Sequence, residues 1–372
     1  MTTKDYELVA DQPSYYSAKV RACMQYKRIP YVEIGCNIET LSQRVIPATG
    51  DHTFPVVFCP DDVALKDGCD IVEALDQRHP ERPITPEDPL LNLVANLIET
   101  MADEYFAIAM IYYRWIPEET QKWALNMFSV LNGYGVKDPE MAKMAKDISA
   151  HIATEVQSRL PKVGLDREDV QQECIKITEK VCDLLEIHLQ KTPFILGDKP
   201  SLADLALMNA MWGHLYLDPC EASMYIRKNC THLSRWITMM HSGAGISDQG
   251  ELYMTDTLKD LLRYFGNAFS HMAFATVKAA DEHLPDMEIE QPVKSGLGKI
   301  NTGILDVELT RPATTYGAWR LQRLMDKYQD IPASQKAESD ALLEDTGFLA
   351  VCQHQPTWRM DKKNFKLHLT QK

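Results

Sequence analysis

Ser14-Tyr15-Tyr16-Ser17 sets hydroxyl groups directly ahead of a helical stretch carrying Lys19-Val20-Arg21. A hydroxyl donor at a helix N-terminus stabilises an anion by a charge-assisted hydrogen bond and by the helix dipole. An ionised thiol is one anion such a group can hold at neutral pH. The plainer reading is an N-cap, with Ser14 accepting a free backbone amide of the first turn. The two are compatible, and Tyr15, Tyr16 or Tyr6 could replace Ser14 as the donor. Asp67-Gly68, ahead of Ile71, Val72 and Leu75 on one helical face, reads as a turn and helix cap. Met110-Ile111-Tyr112-Tyr113-Arg114-Trp115 sets a cation among aromatics, which suits an anionic substrate. The plainer reading there is core, with Arg114 paired to Asp103 or Glu104 across turns, or to an acidic residue nearer the carboxy terminus. Cys23, Cys69, Cys174 and Cys182 read as small apolar packing residues. The histidines show no metal-ligand spacing and no glycine-rich phosphate loop occurs, so a metal or nucleotide cofactor has no sequence support.

The elements that must position these groups come in a definite order. A strand around Tyr6–Val9 leads through Asp11-Gln12-Pro13 into the first helix. Proline cannot donate to a strand ladder, so Pro55 in Phe54-Pro55-Val56-Val57-Phe58 heads a short strand. Pro80, Pro83, Pro86 and Pro89 stiffen a linker, and Asp88-Pro89 suits an N-cap and first helical residue. From Leu90 onward Leu93, Val94, Leu97, Ile98 and Met101 keep one helical face, which runs to Trp115 before Pro117 stops it. Further helices are predicted over Met141–Leu160 and Arg167–Leu189. Ser201 and Asp204 stand at capping-box spacing, where each side chain can satisfy the other's backbone amide. Leu205, Met208 and Trp212 continue the buried face. Leu258, Leu262, Phe265, Phe269 and Met272 mark an amphipathic helix. Pro285–Pro312 reads as an irregular connection, Thr315–Tyr328 as a helix, and the basic tail after Asp361 as loosely held.

A chain of 372 residues suggests two or three domains, and 45% apolar with 25% charged residues is a soluble globular profile. Its 39 basic against 53 acidic residues, net −14, argue against a general binder of nucleic-acid backbones. No apolar run reaches a membrane span, and Met1–Glu7 lacks a signal-peptide core. Nine scattered cysteines, an odd number without a Cys-x-x-Cys pair, fit reduced thiols in the cytoplasm.

The order strand, helix, strand, proline-headed strand, strand, helix around Phe54-Pro55 resembles the thioredoxin-like domain of the glutathione transferase family. Pro193-Phe194-Ile195-Leu196-Gly197-Asp198-Lys199-Pro200-Ser201-Leu202-Ala203-Asp204 resembles the helix-start signature of that family's bundle domain. The likeness covers roughly the first 240 residues. It implies an α/β thioredoxin-like domain over 1–85, an all-α bundle over 86–245 and a mostly helical extension over 246–372. Trp319-Arg320-Leu321-Gln322-Arg323 is similar to the extension of long bacterial members, which brings no known reaction. The resemblance implies a cis Phe54–Pro55 bond, with Phe54 pairing through its backbone with the cysteinyl unit of glutathione. Against the family's Ser/Cys-x-x-Ser pattern before a Lys/Arg-Val pair, Ser14 falls on the thiolate-stabilising position, with Ser17 three residues on. Serine there resembles the zeta, tau and theta side rather than omega, whose cysteine makes mixed disulfides. Where the family shows an acidic residue or Gln followed by Ser, this chain has Asp67-Gly68. Asp67 would take the γ-glutamyl amino group and the Gly68 amide its carboxylate. The missing hydroxyl removes a bond worth about 1.5–3 kcal/mol to a charged group. Tyr15, Tyr16, Tyr112, Tyr113, Arg114 and Trp115 would wall the second-substrate pocket. The implied protein is a cytoplasmic, homodimeric, glutathione-dependent enzyme without a metal, a nucleic-acid partner or a membrane contact. Its thiolate would attack an electrophilic, largely apolar substrate in conjugation, dehalogenation, ether cleavage or isomerisation. The rivals are a non-catalytic binding or scaffold protein, which Gly68 favours, and an enzyme using another anionic thiol or substrate.

Overall fold

The computed structural model describes residues 5–243, 245–285, 289 and 291–370. Residues 1–4 of the start read for a signal core, 286–288 and 290 of the stretch read as irregular, and 371–372 of the tail lie outside them.

In chain order the elements are β1 (Tyr6–Ala10), α1 (Tyr15–Tyr26), β2 (Tyr31–Gly35), α2 (Ile38–Thr40), α3 (Ile46–Thr49), β3 (Val56–Phe58), β4 (Ala64–Lys66) and α4 (Gly68–Arg78). Next, α5 (Pro89–Thr100) runs through a π-helical segment, Met101–Phe106, into α6 (Ala107–Trp115). Then come α7 (Glu118–Gly133), α8 (Pro139–Arg159), α9 (Glu168–Leu189) and α10 (Leu202–Ala210), the last continuing as a π segment, Met211–Tyr216. After α11 (Glu221–Asn229), α12 (Thr231–Ser242) and α13 (Asp256–His283) follow β5 (Gly296–Ile304) and β6 (Val307–Thr314). The chain finishes with α14 (Thr315–Gln329), α15 (Ala333–Asp345), α16 (Leu349–Cys352), β7 (Met360–Lys363) and β8 (Lys366–Leu369). The architecture is a thioredoxin-like α/β domain, then a helical bundle and a mostly helical extension. No helix among the described residues is long and apolar enough to cross a membrane.

The chain folds as two compact units, each gathered from separate stretches. The first comprises Met1–Ile84, Met110–Arg159 and Asp204–Asp248. Its sheet has the order β2-β1-β3-β4, with β1 parallel to β2 and the other pairs antiparallel. Leu8 and Val9 of β1 are buried, as are Val56 and Val57 of β3, which follows a cis Phe54–Pro55 bond. On α1, Val20, Cys23 and Met24 are buried, and on α4 so are Ile71, Val72 and Leu75; these two helices pack together. Helix α1 also packs against α12 and the Met211–Tyr216 segment. Asp204 does more than start a helix, because its carboxylate accepts the Trp236 indole N–H at 3.0 Å in the core. Helix α7 is an addition to the sequence reading, which had placed nothing between Pro117 and Met141. Most of its apolar residues, Trp123, Leu125, Met127, Phe128 and Leu131, are only half-buried, and that weakens the periodic signal.

The second unit comprises Thr85–Ala109, Leu160–Ala203 and Gln249–Lys372. Asp88 caps α5 by accepting the Leu91 amide at 2.9 Å. Ser201 accepts the Ala203 amide at 3.3 Å at the start of α10. The apolar face of α13 is fully buried, and Phe265 and Phe269 group with Phe106 at centroid distances of 6.1–6.4 Å. Arg320 on α14 forks to Glu99 of α5 and to Asp103 just beyond it, both at 2.9 Å. Gln322 exchanges two hydrogen bonds with the Met360 backbone. Thus Arg320 and Gln322, within the Trp319–Arg323 string of the extension, tie elements together. Two expectations are corrected here. Within Pro285–Pro312, most of β5 and β6 forms a hairpin, because Ile300, Ile304, Leu309 and Ala313 can be buried while their neighbours stay outward. The tail after Asp361 is likewise held, as the β7–β8 hairpin, by buried Met360 opposite buried Leu369.

Candidate functional site

The residues singled out around the first helix all lie in the first unit. Ser14 is the N-cap of α1, and its Oγ accepts the Ser17 amide at 3.4 Å. Its own amide donates to the Asp11 carbonyl at 3.2 Å, closing a tight turn through Pro13. Ser17 is buried, and its Oγ has no hydrogen-bond partner among the described residues. Tyr15 is buried with its ring edge-on to His214 at 5.4 Å, whereas Tyr16 is 43% exposed. The two tyrosines at the helix start therefore face different media. Asp11 is buried near Glu33, and burial pushes its carboxyl up to about 6 although the Cys36 amide donates to it.

Arg114 points inward and is 3% exposed. Its Nε and Nη2 reach the two carboxylate oxygens of Asp218 at 2.7 Å each. Nη2 also donates to the Gly213 carbonyl at 2.6 Å, and Nη1 donates to the Pro13 carbonyl at 2.7 Å. The partner is Asp218, rather than Asp103, Glu104 or an acid of the extension. Burial pushes the Asp218 carboxyl up while the guanidinium beside it pulls the other way. A planar fork with several donors suits this arrangement, and a lysine would not. At Gly213 a Cβ would lie 3.1 Å from Tyr15 Cα and 3.3 Å from the Ser14 carbonyl oxygen, so only glycine allows this approach without a shift. Next to it His214 donates from Nδ1 to the Met110 carbonyl at 2.9 Å. Burial first, and the Arg114 charge second, hold its imidazole well below the usual histidine range, so it is neutral.

Of the other residues in the aromatic run, Tyr113 and Trp115 are 2% and 6% exposed, and Trp115 stacks on Phe128 at 6.1 Å. Tyr112 is half-buried and edge-on to Tyr113 at 5.0 Å. Phe54, ahead of the cis bond, packs partly buried on Val9, Cys36, Val45 and Val56. Asp67 sits at φ 77°, a costly conformation for a residue with a Cβ, and caps α4 by accepting the Cys69 amide at 3.1 Å. Gly68 opens α4; a Cβ there would sit 3.9 Å from Lys19 Cδ on α1, in ordinary contact. The structure thus gathers Ser14, Tyr15, Ser17 and Arg114 around one helix start and brings Gly68 against the same helix. Sequence reasoning missed Gly213, His214 and Asp218, the last 104 positions from Arg114. No local spacing signals such a pair.

A family model described as glutathione S-transferase, N-terminal domain, matches residues 8–83, and one described as glutathione S-transferase, C-terminal domain, matches residues 149–242. Among curated proteins no sequence matches the chain. Solved structures that resemble it include the β-etherase LigF from Sphingobium sp. strain SYK-6, at 15% identity and a TM-score of 0.41, covering 69% of this chain and 98% of that one. A glutathione S-transferase from Rhodospirillum rubrum F11 aligns at 15% identity and a TM-score of 0.39, covering 69% and 99%. One from Methylobacillus flagellatus KT, with glutathione bound, aligns at 18% identity and a TM-score of 0.36, covering 69% and 98%. Likenesses this distant carry no argument about reaction.

Proposed function

Because the chain belongs to the glutathione transferase superfamily, we propose that it is a glutathione-dependent enzyme whose Ser14 hydroxyl holds the substrate thiolate. The observation that carries this reading is Ser14 at the N-cap of α1. Its oxygen accepts the Ser17 amide, which leaves the hydroxyl hydrogen for an anion placed on the helix axis. The cis Phe54–Pro55 turn supplies backbone groups for the cysteinyl part of glutathione, while Asp67 takes the γ-glutamyl amino group and the Gly68 amide its carboxylate. Tyr16 and Tyr112, which keep exposed surface, line the way to an apolar electrophile, and Tyr15, Tyr113 and Trp115 back them from the core. In the reaction the sulfur lone pair forms a carbon–sulfur bond while the leaving group departs with its electrons; in an isomerisation the sulfur leaves again. Conjugation, dehalogenation, ether cleavage and isomerisation share that first step.

In this reading residues 1–85 form the glutathione-site domain, 86–245 the bundle and 246–372 the extension. The protein works as a homodimer in the cytoplasm, a setting that suits nine free and buried cysteines. The second reading, a non-catalytic member, rests on Gly68, which lacks a hydroxyl for the ligand. Calorimetry with glutathione separates the two, since the enzyme reading requires binding. Ser14→Ala should then raise the bound thiol's pKa in ultraviolet difference absorbance and slow turnover roughly tenfold to a hundredfold, about 1–3 kcal/mol. Unchanged pKa and turnover would remove Ser14 from the chemistry.

A further inference from the structure

We propose that Arg114 is a positioning residue for the thiol site: it fixes the peptide plane that aims the Ser14 side chain. This rests on the reading that Ser14 holds a thiolate. The Pro13–Ser14 peptide is gripped at both ends. Its N–H donates to the Asp11 carbonyl at 3.2 Å, and its C=O accepts from Arg114 Nη1 at 2.7 Å. With both polar atoms engaged the plane is held, and together with the Ser14 φ of −78° it sets the direction of the Cα–Cβ bond. The same guanidinium holds the Gly213 carbonyl at 2.6 Å, and Gly213 in turn lies against the Ser14–Tyr15 backbone, on which a Cβ would intrude at 3.1 Å. Arg114 therefore controls the turn by a direct bond and through the segment pressed against it.

Asp218 explains why the fork stays in place. Its bidentate grip orients the guanidinium plane and offsets a charge that burial would otherwise make costly. An ion pair serving stability alone would be complete with Asp218. Here two further bonds go to carbonyls, one belonging to the residue before Ser14 and the other to the glycine facing it. Lysine at 114 would keep the charge but could not span Asp218, Pro13 and Gly213 in one plane.

The test compares Arg114→Lys, Gly213→Ala and Ser14→Ala in the full-length protein. Arg114→Lys should remain folded by circular dichroism, raise the pKa of bound glutathione by about one unit and lower kcat roughly tenfold, with KM within about threefold. Gly213→Ala, which leaves the fork intact but pushes on Tyr15, should move the same readouts in the same direction. Hydrogen exchange across residues 11–20 should quicken in Arg114→Lys more than elsewhere in the chain. Lower stability with an unmoved thiol pKa and kcat would make Arg114 purely structural and overturn the proposal. Unchanged exchange over 11–20 would overturn it even if glutathione did not bind. A raised pKa in Arg114→Lys beside an unmoved one in Ser14→Ala would instead shift the failure to Ser14, leaving Arg114 as the holder of a turn whose donor is a neighbour.

Discussion

At the scale of single residues, Gly68 separates what the family pattern offers from what this chain does. Glycine supplies the helix-start amide but no hydroxyl, and a Cβ added there would make only ordinary contact, with Lys19 Cδ at 3.9 Å. Gly68→Ser should therefore fold normally and bind glutathione more tightly, by roughly tenfold to a hundredfold in Kd if a hydrogen bond to a charged group is regained. Isothermal titration measures this, and equal affinity in the two proteins would mean that the carboxylate sits elsewhere. The residue-level reading of Ser14 was possible because capping chemistry is local: side chain, helix start and amide lie within four positions. Arg114 was recognisable only as a cation among aromatics. Its partner lies 104 positions away in the chain, and a pair made by tertiary folding leaves no periodic trace for one sequence to display.

Among the elements, long amphipathic helices were readable and short or half-buried ones were not. The stripe Leu258, Leu262, Phe265, Phe269 and Met272 announces α13 because one face is wholly buried. The β5–β6 hairpin escaped notice because Gly298, Gly303 and Pro312 interrupt its strands and its inward residues recur over short runs. The β7–β8 turn has Asn364 and Phe365 at φ 47° and 63°. Asparagine suits that region but phenylalanine does not, so the turn lacks the usual glycine signal. The tie between α5 and α14 gives the element-scale prediction. Arg320 is buried and bonded to both Glu99 and Asp103, so Arg320→Ala takes a bonded cation away from two buried carboxylates. The expected loss is about 3–5 kcal/mol, read as a lower urea midpoint. A loss below about 1 kcal/mol would show that water or another group replaces the fork.

Over the whole molecule the pattern of buried and half-buried imidazoles sets the response to acid. His79, His188, His214 and His241 all lie below the usual histidine range, chiefly through burial, with His241 down at about 4. A base whose pKa is depressed on folding adds stability above its unfolded value, near 6.5, and that stability is lost as pH falls through the folded value. Asp11, raised to about 6, has the opposite sign and favours the fold once it is protonated. Asp218, also raised by burial, acts in the same sense as Asp11, but four imidazoles outweigh two carboxyls, so the urea midpoint should drop between about pH 6.5 and 4 and stay level from about pH 7 to 8. A midpoint rising on acidification would mean that carboxyl protonation dominates.

The second unit also has a consequence for synthesis. Its first stretch, Thr85–Ala109, contains α5, whose apolar Leu93, Val94 and Leu97 are buried in the finished protein. Helix α5 packs against α14, which leaves the ribosome roughly two hundred residues later, about 10–40 s at a synthesis rate of roughly 5–20 residues per second. Throughout that interval α5 is a sticky nascent segment without its native cover, and the second unit cannot close before the carboxy-terminal stretch has emerged. Ribosomes stalled before Thr315 would thus carry chains with an unprotected apolar helix, natural clients for a chaperone that binds during translation.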